Sequence, residues 1–287
     1  FTQAEIFGPG NNYSNPRHPG GIFLGGTNNL VADCDFHDHG TRVSPVSGSG
    51  NTLLGNTARH AGAYFVYSGD GRSFNILGND VEIESGHEEH VLRFQGGYRV
   101  YVAHNKLRSK RAKSNVQVRG QSNLVMVYDN DIIARSSSAH PQNDTSEEYV
   151  HHVVYEGNRF LYEPAYEGIC GFGVGGTAVV INARHVTLRN NLSVNYSRLF
   201  GIGGHPLSGP SRDINVLHNT TFSDDTVGPH NGLLGSLNDG YDVTIRGKLL
   251  QEMHRGHVHD RMHRIDAQPV HVIIAQPHAA VIDEKAP

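Results

Sequence analysis

The sequence predicts an all-β solenoid, a single domain in which short strands coil around one core. Two observations carry this prediction. A phrase of apolar residues followed by Asn, or by a residue in its place, recurs at nine positions spaced 22 to 33 residues apart, and a period in this range is typical of solenoids. Each repeat is also rich in Val, Ile, Leu and Phe, contains Gly and Asn, and has no convincing amphipathic helix, which favours strands over helical repeats.

The nine marker positions place the predicted coils in order along the chain. They are Cys34, Asn56, Asn79, Asn105, Asn130, Asn158, Asn191, Asn219 and Lys248. We expect the recurring Asn to adopt the left-handed turn conformation and to hydrogen-bond the equivalent amide one coil away. The 34 Gly residues suit a chain with several tight turns in each coil.

The repeat divides the chain into three parts. Residues 1–26 are rich in Gly, Asn and Pro and are predicted to cap the N-terminal end, and residues 27–250 are predicted to form about nine coils. Residues 251–287 are predicted to be a C-terminal cap or return strand, because the open end of a solenoid exposes unpaired strand edges. Cys34 and Cys170 lie about six coils apart, beyond the disulfide reach of about 7 Å, so both are expected to be buried free thiols.

Composition argues against two classes of partner. The formal net charge is −4 with His neutral, which does not suit nucleic-acid binding. No stretch approaches the roughly 18 apolar residues that cross a bilayer. A chain that begins at Phe1 without a visible signal peptide is typical of a mature or trimmed product, and we expect a monomer that is secreted or periplasmic.

The segment from His90 to Tyr128 has an unusual charge balance, with no Asp or Glu and eight of the chain's 24 Lys and Arg residues. The eight are Arg93, Arg99, Lys106, Arg108, Lys110, Arg111, Lys113 and Arg119. In a coiled fold this segment spans two adjacent coils, so we expect the positive charge to be concentrated in space. Such a patch on a slightly acidic protein attracts an anionic ligand.

Strand alternation predicts which side chains form this patch. In Val91–Gln95, Leu92 and Phe94 suit the interior, which turns Arg93 and Gln95 outward. In Asn115–Gly120, the two Val residues suit the interior, which turns outward the side chains of Asn115, Gln117 and Arg119. The two strands are predicted to occupy equivalent places in successive coils, with Lys110, Arg111 and Lys113 at the rim of one exposed polar patch.

Two histidines accompany this patch. His90 shares its parity with Leu92 and is therefore expected to point inward, unless it lies in the turn before the strand. His140 lies in the polar segment Ser136–Glu148, which we interpret as a loop long enough to overhang the patch.

The repeated phrase, as in ILGNDV at Ile76–Val81 and VYDNDI at Val127–Ile132, resembles the coils of right-handed parallel β-helices of the pectate-lyase type. The resemblance extends over about 220 residues, from about residue 30 to 250. It implies a right-handed parallel β-helix that acts on an acidic polysaccharide. Together with the basic patch, it points to a polysaccharide lyase that cleaves a polyuronate by β-elimination, with alginate as the first candidate.

Elimination from a uronate needs a cation to neutralise the carboxylate, a base for the C5 proton and an acid for the departing oxygen. We assign the first role to Arg93 and Arg119, since a guanidinium grips a carboxylate with two hydrogen bonds. Lys113 and His90 are alternatives for the base, and His140 and Tyr67 for the acid. The residues assigned to substrate binding are Tyr67, Gln95, Lys110, Arg111, Asn115 and Gln117.

Three other functions stay open at this stage. A C5-epimerase would share the proton removal, and a glycoside hydrolase could draw its carboxylate pair from Asp144, Glu147 and Glu148 or from Asp224 and Asp225. A non-catalytic carbohydrate-binding coil is the third, although the absence of Trp counts against rows of stacking aromatic residues. We expect no metal or other cofactor, with calcium left open as a neutralising cation.

Overall fold

The computed structural model describes residues 5–7, 21–38, 42–62, 64–83, 90–110, 112–134, 137–142, 150–163, 176–203, 209–224, 233–237, 240–246, 251–254 and 272–274. All regular secondary structure in these ranges is β-strand. Within them, no helix is long and apolar enough to cross a membrane.

The strands form three sheets. Sheet A contains β2 (Leu30–Ala32), β5 (Thr52–Leu54), β8 (Asn75–Leu77), β11 (Tyr98–Ala103), β14 (Asn123–Tyr128), β17 (His151–Glu156), β20 (Arg184–Arg189), β23 (Ser211–Leu217), β26 (Gly240–Arg246) and β28 (Val272–Ile274). Sheet B contains β1 (Glu5–Phe7), β3 (Asp35–His37), β6 (Thr57–Ala61), β9 (Asp80–Ile83), β12 (Lys106–Ser109), β15 (Asp131–Ala134), β18 (Arg159–Tyr162), β21 (Leu192–Val194), β24 (Thr220–Asp224) and β27 (Gln251–His254). Sheet C contains β4 (Arg42–Val46), β7 (Tyr64–Gly69), β10 (His90–Gln95), β13 (Ser114–Arg119), β16 (Ser137–Pro141), β19 (Thr177–Ile181), β22 (Arg198–Ile202) and β25 (Leu233–Leu237).

Consecutive strands of the chain belong to different sheets, and the strands of one sheet come from successive coils. The strand pairs are parallel, except that β28 runs antiparallel to β26. Among the described residues, the triplets from β2–β4 to β23–β25 make eight complete coils, slightly fewer than the nine predicted. The predicted fold class, an all-β parallel solenoid, is confirmed.

The boundaries of the three predicted parts stay predictions, because residues 8–20 and most of residues 247–287 lie outside the described ranges. Strand β1 comes from the predicted N-terminal cap and pairs in parallel with β3.

The core is a continuous stack of apolar side chains contributed by all three sheets. In sheet C, Val66, Leu92 and Val116 occupy one register position in successive coils and are fully buried. The rings of Phe74 and Phe94 pack 5.6 Å apart. Because each coil covers the apolar surface of its neighbour, burial extends along the whole axis, which is how a solenoid is stabilised.

A ladder of buried Asn side chains runs along the turn between sheets A and B. Each side-chain amide donates to the Oδ1 atom of the Asn one coil further on, at 2.9–3.0 Å, from Asn56 through to Asn219. The same Oδ1 also accepts the backbone N–H of the preceding ladder residue. These bonds satisfy polar groups that would otherwise be buried without partners, and the predicted amide stacking is confirmed.

The structure confirms one further prediction about the ladder and contradicts another. Cys34 takes the first position, with its backbone N–H bonded to Asn56, and it is a buried free thiol as predicted; Cys170 lies outside the described residues.

The expectation that the ladder Asn itself adopts the left-handed conformation is wrong. The residue before it does, for example Gly78 at φ 62° and His104 at φ 59°. The left-handed turn therefore lies before the Asn, whose side-chain amide points along the solenoid axis to the next coil.

We predict that Asn105→Ala destabilises the protein by about 3 kcal/mol, because it leaves the buried N–H and Nδ2 groups of Asn79 without their acceptor. The free energy of unfolding in urea measures this cost. The matched control is Asn215→Ala on the outer surface of sheet A, where a change within about 0.5 kcal/mol is expected. Equal losses in the two variants would contradict the structural role of the ladder.

Candidate functional site

Acidic residues are distributed unequally among the three sheets. In the strands that the structure describes, sheet B contains seven Asp and Glu residues and sheet A three, whereas the eight strands of sheet C contain none. Sheet C does contain four Arg residues, namely Arg42, Arg93, Arg119 and Arg198. Its strands therefore contribute positive charge only, which suits an anionic ligand.

Four polar side chains of sheet C share one register position on successive coils. Tyr67 pairs with Arg93, Arg93 with Gln117, and Gln117 with His140. We call these four residues the first row. The prediction that the strands of Arg93 and Gln117 are adjacent, in this register, is confirmed. Neighbouring parallel strands lie about 4.8 Å apart, so the first row spans roughly 14 Å along the axis.

A second row lies two residues further along the strands. It consists of Gln95, Arg119, Gln142 and Asn182, all partly exposed. Gln95 pairs with Arg119, as predicted, and Gln142 pairs with Asn182. We define the basic face as the two rows together.

Hydrogen bonds join the two rows. The Tyr67 hydroxyl donates to Gln95 Oε1 at 3.3 Å, and Gln117 Nε2 donates to Gln142 Oε1 at 3.0 Å. His140 Nε2 lies 2.9 Å from Asn182 Oδ1. Cross-row contacts of this kind fix side-chain positions on an already rigid sheet, which is what a preorganised site requires.

The Arg93 guanidinium is oriented by neutral groups. It donates to the Tyr64 hydroxyl at 3.2 Å and to Gln95 Oε1 at 3.3 Å, and its Cζ atom lies 5.5 Å from the centre of the Tyr67 ring. Contacts of these kinds position a cation without neutralising it. Arg93 is thereby oriented at the centre of the basic face.

The positive charge of the basic segment is less concentrated than predicted. Arg108 and Lys110 form ion pairs with Glu82, and Arg108 also with Asp80, on the preceding coil. Lys110 is thus bound at the edge of sheet B instead of rimming the patch. Arg99 is exposed on sheet A, where it lies over the Tyr98 ring. The sequence could not show the ion pairs of Arg108 and Lys110, since their acidic partners lie in β9, one coil before the acid-free segment.

Two further predicted placements need correction or fall outside the described residues. Asn115 does not face outward, because it is fully buried and its amide donates to backbone carbonyls of Leu107 and Ile133 at the corner with sheet B. Arg111 lies outside the described residues. Lys113 is partly exposed in the turn before β13.

Gln117 and His140 are in the predicted row but are only 3% exposed. Each is hydrogen-bonded to a second-row amide, so the row is more enclosed than an open strand surface. His140 is not in an overhanging loop. It belongs to β16, whose sequence SSAHP lacks the β-branched residues that usually indicate a strand.

His90 is the first residue of β10 and is buried, as its parity predicted. Its Nδ1 atom lies 2.9 Å from the Ser114 hydroxyl and 3.1 Å from the Ser114 carbonyl. Burial, together with the nearby positive charges of Arg93, His140 and Arg119, lowers the pKa of His90 from 6.5 to about 3. A neutral imidazole with so low a pKa is a weak base, so we regard His90 as a structural residue under the basic face.

Sequence analysis missed three residues of this site. Tyr64 was not considered because its position next to Arg93 depends on the coil register. Gln142 and Asn182 were not placed on strands. For Asn182 a signal was available, because alternation in Thr177–Ile181 turns the residue after Ile181 outward.

Outside sheet C, a groove lies on the outer surface of sheet A. It has a volume of about 510 Å³ and is lined by residues that include Met126, His152, His185 and Asp213. The rings of His152 and His185 stack 4.9 Å apart, and His185 Nδ1 lies 3.3 Å from Asp213 Oδ2. In the described part of the chain, no group of three or more His, Cys, Asp or Glu residues has a metal-binding arrangement. The carboxylates considered for a hydrolase lie outside the described residues or have side chains that are not described.

No protein-family model and no curated protein matches the chain. Among solved structures, the chain is similar to the crystal structure of an alginate lyase from Paenibacillus sp. str. FPU-7. The identity is 14%, the match covers 88% of this chain and 99% of that chain, and the TM-score is 0.27. A likeness at this level carries no functional conclusion, so the function has to be inferred from the residues of the basic face.

We predict that the stability advantage of the wild type over His90→Asn changes with pH. Because the pKa of His90 is about 3 in the folded protein and 6.5 in the unfolded chain, the folded state resists protonation. The contribution of neutral His90 to the free energy of unfolding is complete above pH 6.5. It is lost as the pH falls from 6.5 towards 3, by about 1.4 kcal/mol per pH unit. Asn keeps a side-chain donor near Ser114 but does not titrate. Urea unfolding of both proteins at pH 7, 6, 5 and 4 is the measurement, and a difference that stays constant would contradict the assignment.

Proposed function

We propose that this protein is a polysaccharide lyase that cleaves a uronic-acid polymer by β-elimination, with alginate as the first substrate to test. The observation that carries the proposal is the basic face of sheet C. It combines Arg93 and Arg119 with a set of amide and hydroxyl groups, on a sheet whose described strands contain no carboxylate. A polymer with a carboxylate and several hydroxyls on each sugar matches that combination.

Charge neutralisation is the first requirement of the reaction. The C5 proton of a uronate becomes acidic enough to remove only when the neighbouring carboxylate is neutralised. Arg93 donates to the Tyr64 hydroxyl and to Gln95, and we assign it to the substrate carboxylate because a guanidinium forms two parallel hydrogen bonds with a carboxylate. Arg119 lies on the next strand, one position diagonally across the face, and is placed to bind the same carboxylate or that of an adjacent sugar.

Gln117 supports a substrate position between Arg93 and His140. Its side chain is 3% exposed, and in the described structure its Oε1 atom accepts no hydrogen bond. A buried acceptor without a partner costs about 1–3 kcal/mol. Because this atom is enclosed in the structure, a sugar hydroxyl supplies the missing donor, and recovers that free energy, only once the Gln117 side chain turns outward.

The proton-transfer role falls to one end of the first row. His140 follows Gln117, and we assign it as the base. Tyr67 lies three strands from His140, or roughly 14 Å along the axis, which is too far for it to protonate the oxygen on the adjacent carbon of the same sugar, so we assign Tyr67 to substrate binding. Lys113 lies four residues before Gln117, or roughly 13 Å of strand, which suits substrate binding at the edge of the face better than proton transfer.

Partners, location and cofactors follow from the same proposal. A polymeric substrate is met outside the cytoplasm, which favours a secreted or periplasmic protein that works as a monomer on an anionic polysaccharide, with neither nucleic acid nor a membrane as partner. The two guanidinium groups supply the neutralising charge, so we propose a reaction without a metal cofactor.

The Arg93→Ala variant tests the carboxylate-binding role. We expect kcat/KM on the preferred polyuronate to fall by at least about 100-fold, as when a group that stabilises transition-state charge is removed. The ultraviolet absorbance of the new C4–C5 double bond follows the reaction. Arg99→Ala is the matched control, since Arg99 is exposed on sheet A, and it should keep nearly normal activity.

The outcomes of this assay also separate the competing functions. An absorbance rise with alginate, polygalacturonate or another polyuronate supports a lyase. Exchange of C5 hydrogen with heavy water and no absorbance rise indicates an epimerase, and reducing ends without absorbance indicate a hydrolase. Binding with no reaction, or near-normal turnover of Arg93→Ala, would refute the proposal.

Chelation tests the metal-free part of the proposal. We expect the elimination rate to be unchanged after dialysis against EDTA, because guanidinium groups neutralise the carboxylate. The measurement compares the elimination rates before dialysis, after dialysis, and after calcium is added back to one dialysed sample. A loss of activity that calcium restores would mean that a hard cation with oxygen ligands takes over this role.

A further inference from the structure

We propose that the groove on the outer surface of sheet A is a carbohydrate site separate from the basic face, and that it binds an extended neutral oligosaccharide. The inference goes beyond the proposed function and does not rest on it. The residues that line the groove belong to β14, β17, β20 and β23 of sheet A, whereas the basic face lies on sheet C. The groove volume of about 510 Å³ is typical of a ligand-binding cleft.

Apart from Val125, the lining residues form two columns that run along the solenoid axis. The first column contains Leu124, His152, His185 and Asp213, and the second, two residues further along each strand, contains Met126, Val154, Thr187 and Asn215. Three strand spacings of about 4.8 Å give the groove a length of roughly 14 Å. A straight groove of this length suits an extended chain, such as a β-1,4-linked oligosaccharide.

The backbone of the first column interrupts the strands. Its four residues are left-handed, with φ between 51° and 56°, and the same conformation recurs at Arg99 and Asp242 on the flanking coils. A left-handed residue breaks the extended conformation of a strand, so the groove follows a regular interruption of sheet A. At one end of it Leu124 is 42% exposed. Together with Met126 and Val154 it gives the groove an apolar surface, which is typical of ligand sites.

Contacts between coils hold the imidazole rings of the groove in place. His152 Nδ1 lies 2.7 Å from His151 Nδ1, and the His152 ring stacks on that of His185 with 11° between the planes. His185 Nδ1 in turn lies 3.3 Å from Asp213 Oδ2. Burial, together with the charges of its neighbours, lowers the pKa of His151, so this ring is neutral at pH 7. The Nδ1 atoms thus have partners within the protein, and the Nε2 atoms of His152 and His185 can bind a ligand.

The other polar side chains of the groove match sugar hydroxyls. The side chains of Thr187 and Asn215 make no hydrogen bond within the described part of the chain, so their donors and acceptors are available. Sugar hydroxyls both donate and accept, and they need such partners when the sugar leaves water. The C–H groups of the same sugar ring can pack on Met126 and Val154. The groove therefore offers both kinds of contact that an uncharged sugar makes.

Charge distinguishes a neutral ligand from an acidic one. Among the described residues that line the groove there is one carboxylate, Asp213, and no Lys or Arg. At the rim lie Arg184, Arg212 and Asp242, according to the register of β20, β23 and β26. Two positive and two negative charges therefore balance around the groove. A uronate would find no excess of cations here and would meet the carboxylate of Asp213, which favours a neutral sugar.

Titration of the full chain with neutral sugars tests the inference. The probes are cellohexaose, xylohexaose and mannohexaose, with an alginate hexasaccharide as the acidic comparison. We expect at least one neutral chain to bind in isothermal titration calorimetry. In protein labelled with ¹⁵N at histidine, the same chain should shift the ring signals of His152 and His185, which His152→Gln and His185→Gln assign.

Substitutions on the outer surface locate the binding. Val154→Lys places a charged chain in the groove and should weaken binding of the neutral chain by at least about 10-fold. Asn215→Ala removes a hydrogen-bond partner and should weaken it by about 3-fold. Asn75→Lys is the matched control, because Asn75 has the register position of Met126 two coils earlier, outside the groove, and it should bind as the wild type does. Val154→Lys should also keep the wild-type rate on a polyuronate.

Several results would overturn the inference. They are failure of every neutral chain to bind at millimolar concentration, equal binding by the wild type and Val154→Lys, and tighter binding of the alginate hexasaccharide with shifts at His152 and His185. Loss of polyuronate cleavage in a folded Val154→Lys variant would also contradict it, because the groove would then belong to the site of cleavage. A wild type that cleaves no polyuronate refutes the proposed function alone, since the groove titration needs no catalysis.

Discussion

The Asn ladder is the constraint on which the rest of the structure depends. Each ladder Oδ1 accepts two hydrogen bonds from the neighbouring coil, one from a side chain and one from the backbone. A shift of one residue between coils would break both bonds and bury unpaired polar groups. The ladder therefore fixes the register of every coil against the next. The left-handed residue before each Asn completes this arrangement, since it turns the chain so that the amide points along the axis.

Fixed register converts positions in the sequence into a surface. Residues some 25 positions apart, such as Tyr67, Arg93, Gln117 and His140, become neighbours at the strand spacing of about 4.8 Å. In the described strands, the same register leaves sheet C without carboxylates and gathers most acids on sheet B, where Asp80 and Glu82 pair with Arg108 and Lys110. A site built on paired strands instead of loops is held rigidly, which favours preorganised binding of charge.

The fold and part of the site could be predicted from the sequence for clear reasons. The repeat gave the coil, and alternation correctly turned Arg93, Gln95 and Arg119 outward. Alternation failed for Asn115, because at a corner the backbone carbonyls of two sheets compete for its amide. It could not reveal Tyr64, whose contact with Arg93 depends on the register between coils, although it would have turned Asn182 outward had Thr177–Ile181 been recognised as a strand. Nor could charge counting show that Lys110 is paired, because its partner lies on a different coil.

The central claim is that an anionic polysaccharide binds along the basic face of sheet C. A crystal structure of the Arg93→Ala variant or of the wild type with a short uronate oligosaccharide tests it most directly. We predict sugar density over Gln117, with carboxylates near Arg119 and, in the wild type, near Arg93. Density in the groove of sheet A beside His152, with the basic face empty, would contradict it.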